Sequence, residues 1–179
     1  MADEARGYLI RQFETAWKLA NFHLDGLTTE ECLWLPARTG LHVHQASDGT
    51  WRADWPEHEG YDVGPPSIAW LTWHIGFWWS MVLHHSLADG TLTREKVLWP
   101  GNADAVRQWL GWLQGEWRVA LEQVTDDDLE SPHGTRWPFQ DRAFGDIIAW
   151  VNVDLTKNAA EIGYVRFLYA VRSGTRRLR

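Results

Sequence analysis

"SIAWLTWHIGFWWSMVL", residues 67–83, is apolar on nearly every side of a helix, yet it carries a histidine, His74, at its centre. A helix that is hydrophobic all round is buried on more than one face, so this segment belongs inside a helical core. Ser67 is a suitable N-cap and places the helix at about residues 67–87. A buried imidazole has two ring nitrogens that need partners, so the residues facing His74 must satisfy it or share it with a ligand.

Working outward, three more stripes show helical spacing. Ile10, Phe13, Trp17, Ala20 and Leu24 predict a helix over about residues 3–24. Val106, Trp109, Leu110, Leu113, Trp117, Ala120, Leu121 and Val124 predict another, capped by Asn102. Ile147, Trp150, Val151, Asp154, Asn158, Glu161, Val165 and Leu168 share one face of a last helix, about 144–172, stopped at Gly174. Between these, "LTTEECLWLP" (27–36) reads as a short helical turn capped by Thr29 and ended by Pro36. "LHVHQASDGTWRADW" (41–55) alternates around Asp48-Gly49, which predicts a hairpin with a primed turn. "TDDDLESPHGTRWPFQDRAFG" (125–145) reads as a long connection. The expectation is one all-α domain over 1–179: an antiparallel four-helix bundle with long connections and a small hairpin excursion near 41–55.

With 24 acidic against 17 basic residues, the chain has no electrostatic footprint for nucleic acid or an anionic membrane. The helix around His74 is interrupted by polar residues and the N-terminus has no apolar leader, so a cytoplasmic protein is expected. Cys32 is the single cysteine; it excludes an internal disulfide and is expected in the core. The 14 tryptophans supply aromatic bulk for a core first and for a ligand platform second.

Three polar residues interrupt the apolar face of the last helix. Asp154 and Asn158 are spaced i, i+4 and Glu161 follows three residues later, so their side chains can converge in the interior. Opposite His74 they can hold a divalent cation or form a metal-free network in which Asp154 accepts a hydrogen bond from the imidazole. Trp70, Trp78 and Trp150 are positioned to line an apolar pocket around this centre. His85 shares a helix face with His74 but is about 16 Å along it, too far to share one metal. His84 and His85 are expected at a bundle end or in solvent. His42, His44 and His58 lie in or beside the hairpin, where exposed histidines are usually incidental, and Cys32 has no basic partner nearby in sequence. The small residues Asn152, Thr156, Ala159, Ala160 and Gly163 fit a close contact, either with a second copy in a homodimer or within the chain.

The helix order and the phrases "LDGLTTEECLWLP", "PPSIAWLTWHIGFWWSMVL" and "VNVDLTKNAAEIGYVRFLY" resemble the DinB-like family, related to the bacillithiol and mycothiol transferases. The resemblance covers nearly the whole chain outside 40–62. It implies a four-helix bundle, often dimeric, with a divalent metal held by one histidine of the second helix and two, spaced i, i+4, on the last. His74 then matches the first ligand. "DLTKNAAEI" stands where the family pattern has "HxxHHRGQI", so Asp154 and Asn158 occupy the other two positions and Glu161 stands at the family's glutamine. The resemblance implies a nickel, zinc or manganese ion, a low-molecular-weight thiol, and metal-dependent thiol transfer or hydrolysis. Oxygen ligands suit harder metals, and the loss of two imidazoles weakens binding of zinc, nickel or copper. The alternatives are a metal-free pocket for a small-molecule ligand and a stress-related dimer without catalysis.

Overall fold

The computed structural model describes residues 2–58, 60–131, 137–139 and 141–174. It is mostly helical: α1 (Ala2–Leu24), α2 (Thr29–Leu33), α3 (Ile68–Leu87), α4 (Ala103–Gln123), α5 (Asp126–Glu130) and α6 (Phe144–Arg172), with one two-stranded sheet, β1 (Val43–Gln45) and β2 (Trp51–Ala53). Ser67 caps α3 by accepting the Trp70 N–H at 3.2 Å, and Asn102 caps α4 through the Ala105 N–H at 2.9 Å. Thr28, not Thr29, caps α2, accepting from Glu31 at 3.1 Å in the Thr-x-x-Glu spacing that favours a helix start. The Thr29 hydroxyl instead accepts the Ala103 N–H at 3.1 Å and ties α2 to α4. The segment read as connection after α4 contains α5, started by a reciprocal capping box between Thr125 and Asp128.

The long helices do not alternate direction throughout. The Asn152 amide donates to the Leu9 carbonyl at 3.0 Å and Arg166 donates to the His23 carbonyl at 2.7 Å, so α1 and α6 run parallel. His74 faces Asn158 while Trp78 meets Trp150, which makes α3 antiparallel to α6. Arg118 lies 3.8 Å from Glu14 and Arg6 reaches the Val124 carbonyl at 3.3 Å, so α4 opposes α1 and runs parallel to α3. The connection 88–102 makes this direction reachable by climbing back along α3. His85 donates to the Leu92 carbonyl at 2.9 Å, Trp73 to Val97 at 2.7 Å, and Trp99 to the Thr72 hydroxyl at 3.1 Å.

The hairpin turn also differs from the primed type. No described residue other than glycine has a positive φ, which a type I′ turn would need at both central positions. The Gly49 N–H donates to the Ala46 carbonyl at 2.9 Å, Ala46 to Thr50 at 2.8 Å, and Gly49 takes φ 83°: a three-residue loop. The Asp48 carboxylate stabilises it by accepting the Thr50 N–H at 2.9 Å and hydroxyl at 2.6 Å. Trp70 donates to the Asp54 carbonyl at 2.8 Å and anchors the hairpin over the start of α3. On α6, Asn152, Ala159 and Gly163 are buried against α1, while Thr156 and Ala160 are exposed. Any Cβ at Gly163 would crowd the His23 ring, so this small-residue face makes the intrachain contact.

Candidate functional site

Antiparallel packing of α3 on α6 sets His74 against Asp154 and Asn158. His74 Nδ1 lies 3.2 Å from Asn158 Oδ1, an atom that can only accept, so Nδ1 carries the proton and donates. The Trp78 indole N–H donates to His74 Nε2 at 2.8 Å, so that nitrogen presents its lone pair. Both bonds are satisfied by one neutral tautomer, and burial pushes the imidazole pKa down to about 3, with the Lys157 charge adding to the shift. Trp70 stacks on the other side of the ring, 4.6 Å between centroids.

Asn158 is itself held by Asp154: its amide donates to the Asp154 carbonyl and to Oδ2, each at 2.8 Å. Asp154 Oδ2 is 3.7 Å from His74 Nδ1, near it without a hydrogen bond. Burial pushes the Asp154 carboxyl up to about 7; Glu161 adds to the rise, while Lys157 and the Asn158 bond oppose it. Lys157 Nζ is 3.1 Å from Glu161 Oε2. That oxygen is buried without a directed hydrogen bond, so it has a counter-charge but no aligned donor.

These groups border one cavity of about 790 Å³. His74, Asp154, Glu161, Trp70, Trp78 and Trp150 all line it, and Asn158 sits behind them. Its remaining wall is a strap made by residues of 55–58 and 60–66, together with Leu41 and Lys157. The strap and Lys157 were not legible as site residues. Lys157 lies off the apolar stripe, although its spacing from Asp154 (i, i+3) and Glu161 (i, i+4) signals the ion pair. The His74–Trp78 spacing is likewise i, i+4, enough to suggest their bond.

Among the described residues, the other histidines lie apart from this centre, except His58 at the cavity rim. His42 pairs with the Ser67 hydroxyl at 2.8 Å, His44 with Asp54 at 3.0 Å, and His84 with Asp89 at 3.3 Å. His84 and His85 are half-buried rather than open, with His85 stacked on Trp137. Cys32 is buried and its thiol is pushed up to about 12, principally by burial, which leaves it unreactive at neutral pH.

The divalent ion implied by the resemblance meets His74 and Asn158 with their donor atoms already engaged, while the carboxylates of Asp154 and Glu161 keep free oxygens. Nε2 accepts from Trp78, Nδ1 is protonated, and the Asn158 carbonyl oxygen accepts from Nδ1. Among the described residues, no group of three or more His, Cys, Asp and Glu side chains is placed to hold a metal. In this arrangement the residues do not fit the ion, because coordination by His74 or Asn158 would break the Trp78 or the Asn158 bond and Asp154 and Glu161 alone are too few to complete the set. No described helix is long and apolar enough to cross a membrane. No curated protein and no solved structure matches the chain. The family model of the DinB superfamily matches residues 12–162, which take in α3 and α4 whole and most of α1 and α6, and the chain belongs to that superfamily.

Proposed function

We propose that the protein is a DinB-type four-helix bundle that binds a small molecule in the cavity between α3, α6 and the 55–66 strap, without a metal. One observation carries this reading: His74 is neutral and doubly bonded by Trp78 and Asn158 at the edge of a cavity of about 790 Å³. Ligand sites combine apolar walls with a few convergent polar groups, and a carboxyl displaced as far as that of Asp154 marks such a site. Asp154 is the group that exchanges a proton or hydrogen bond with the ligand; Asn158 and His74 position it.

The test is metal content after dialysis against EDTA and re-equilibration with zinc, nickel or manganese. The reading expects no stoichiometric uptake by wild type and no difference from His74→Ala. One equivalent of metal, lost in His74→Ala, would overturn it in favour of metal-assisted thiol transfer or hydrolysis. For the homodimer, we place the contact on the apolar residues that α1 and α6 expose, Leu19 and Phe22 on the first and Tyr164, Phe167 and Val171 on the second. Exposed apolar area of this kind marks interaction surfaces.

A further inference from the structure

Resting on the reading of this cavity as a ligand pocket, we infer that it takes a small organic cation, an alkylammonium group, seated against the Asp154 carboxylate and walled by Trp78 and Trp150. The indole donors of Trp70 and Trp78 are engaged by the Asp54 carbonyl and by His74 Nε2. The single N–H of His74 goes to Asn158, away from any ligand. Lys157, the lysine of the lining, is drawn to Glu161 at 3.1 Å. An anion would therefore meet the carboxylates of Asp154, Glu161 and Glu57 and would have to pull Lys157 from its partner.

A cation meets the opposite situation. Asp154 Oδ2 is bonded to the Asn158 amide, while Oδ1 makes no hydrogen bond among the described residues. Lys157, the nearby cation, is held by Glu161 rather than by Asp154, and an ammonium N–H at this cavity-lining carboxylate would supply both a charge and a donor. The walls suit the same ligand. Trp78 and Trp150 meet edge to face with centroids 4.6 Å apart, and aromatic rings attract alkylammonium groups through their quadrupoles while covering the carbon substituents. A neutral apolar ligand would bury Asp154 without giving it a partner.

Three probes of one shape separate charge from fit: tert-butylammonium, tert-butanol and pivalate, titrated at pH 8 with tryptophan fluorescence and indole N–H shifts as readouts. The inference expects saturable binding of tert-butylammonium to wild type, weakened about tenfold in Asp154→Asn and undiminished in Lys157→Gln. Far-UV circular dichroism checks the fold of each variant, and Trp150→Leu, expected to weaken binding, serves if Asp154→Asn does not fold. Equal or tighter binding of pivalate or tert-butanol would overturn the cation assignment while leaving the pocket reading intact. No saturable binding of any probe would overturn both.

Discussion

Replacing Asp154 by asparagine should make the protein more stable, and increasingly so as pH rises. The carboxyl sits at about 7 in the fold against an ordinary 3.8, because burial disfavours its charge. Between those values the native state holds a proton that the unfolded chain has released, so this contribution is fully present below pH 4 and lost as pH rises through 7. The whole displacement corresponds to about 4 kcal/mol. His74 acts in the opposite sense. Its pKa is lowered from 6.5 to about 3, so its contribution is present above pH 6.5 and lost as pH falls toward 3. Across pH 4 to 6.5 the two slopes nearly cancel in wild type, and Asp154→Asn removes one of them. The near-isosteric amide can still accept from Asn158. Urea unfolding at pH 5, 6, 7 and 8, followed by tryptophan fluorescence, should show the variant's advantage growing by about 2–3 kcal/mol over that range. A difference independent of pH would refute the reasoning, because it would mean that Asp154 is ionised in the native state throughout.

Gly76 of α3 packs directly beneath the Trp109 ring of α4, where a Cβ would overlap the indole. Gly76→Ala should cost about 1–3 kcal/mol in urea unfolding, and Trp109→Ala in the same background should recover part of it; strict additivity would contradict the contact. The buried Glu31–Arg166 pair, 2.8 Å between Nε and Oε1, joins α2 to α6, and Arg166 also donates to the carbonyls of His23 and Asp25. Arg166→Met should cost about 3–5 kcal/mol, more than Glu31→Gln, which keeps a hydrogen-bonding side chain; a neutral Arg166→Met would show that the clamp adds nothing. Light scattering should give a dimer for wild type and a monomer for Phe167→Glu, and a monomeric wild type would remove the α1–α6 interface.

The four long helices were legible because apolar spacing reports a buried face directly, and Ser67 and Asn102 reported two starts. Helix direction was not, since the stripe on α4 reads the same whichever way it runs. The 15-residue segment 88–102 held the only information on direction, in Leu92, Val97 and Trp99, whose partners on α3 are set by tertiary packing. α5 was hidden because Asp126, Asp127 and Asp128 look like turn formers, although Thr125 and Asp128 have capping-box spacing. At the site, spacing placed Asp154, Asn158 and the three tryptophans around His74. The choice between metal ligand and hydrogen-bonded network depends on which way the imidazole and the Trp78 indole turn, and sequence spacing does not encode side-chain rotation. The strap was out of reach for a related reason: nothing local in residues 55–66 announces which helices it covers.

The central claim is the neutral Nδ1–H tautomer of His74, bonded on both sides. It can be read from two-bond proton–nitrogen correlation spectra of protein labelled with ¹⁵N-histidine at pH 7, recorded with and without one equivalent of zinc. The account predicts for His74 a protonated Nδ1 and an unprotonated Nε2 that accepts a hydrogen bond, with both signals unmoved by zinc and the Nε2 signal shifted in Trp78→Phe. A proton on Nε2, a charged ring, or a zinc-induced shift confined to His74 would contradict it.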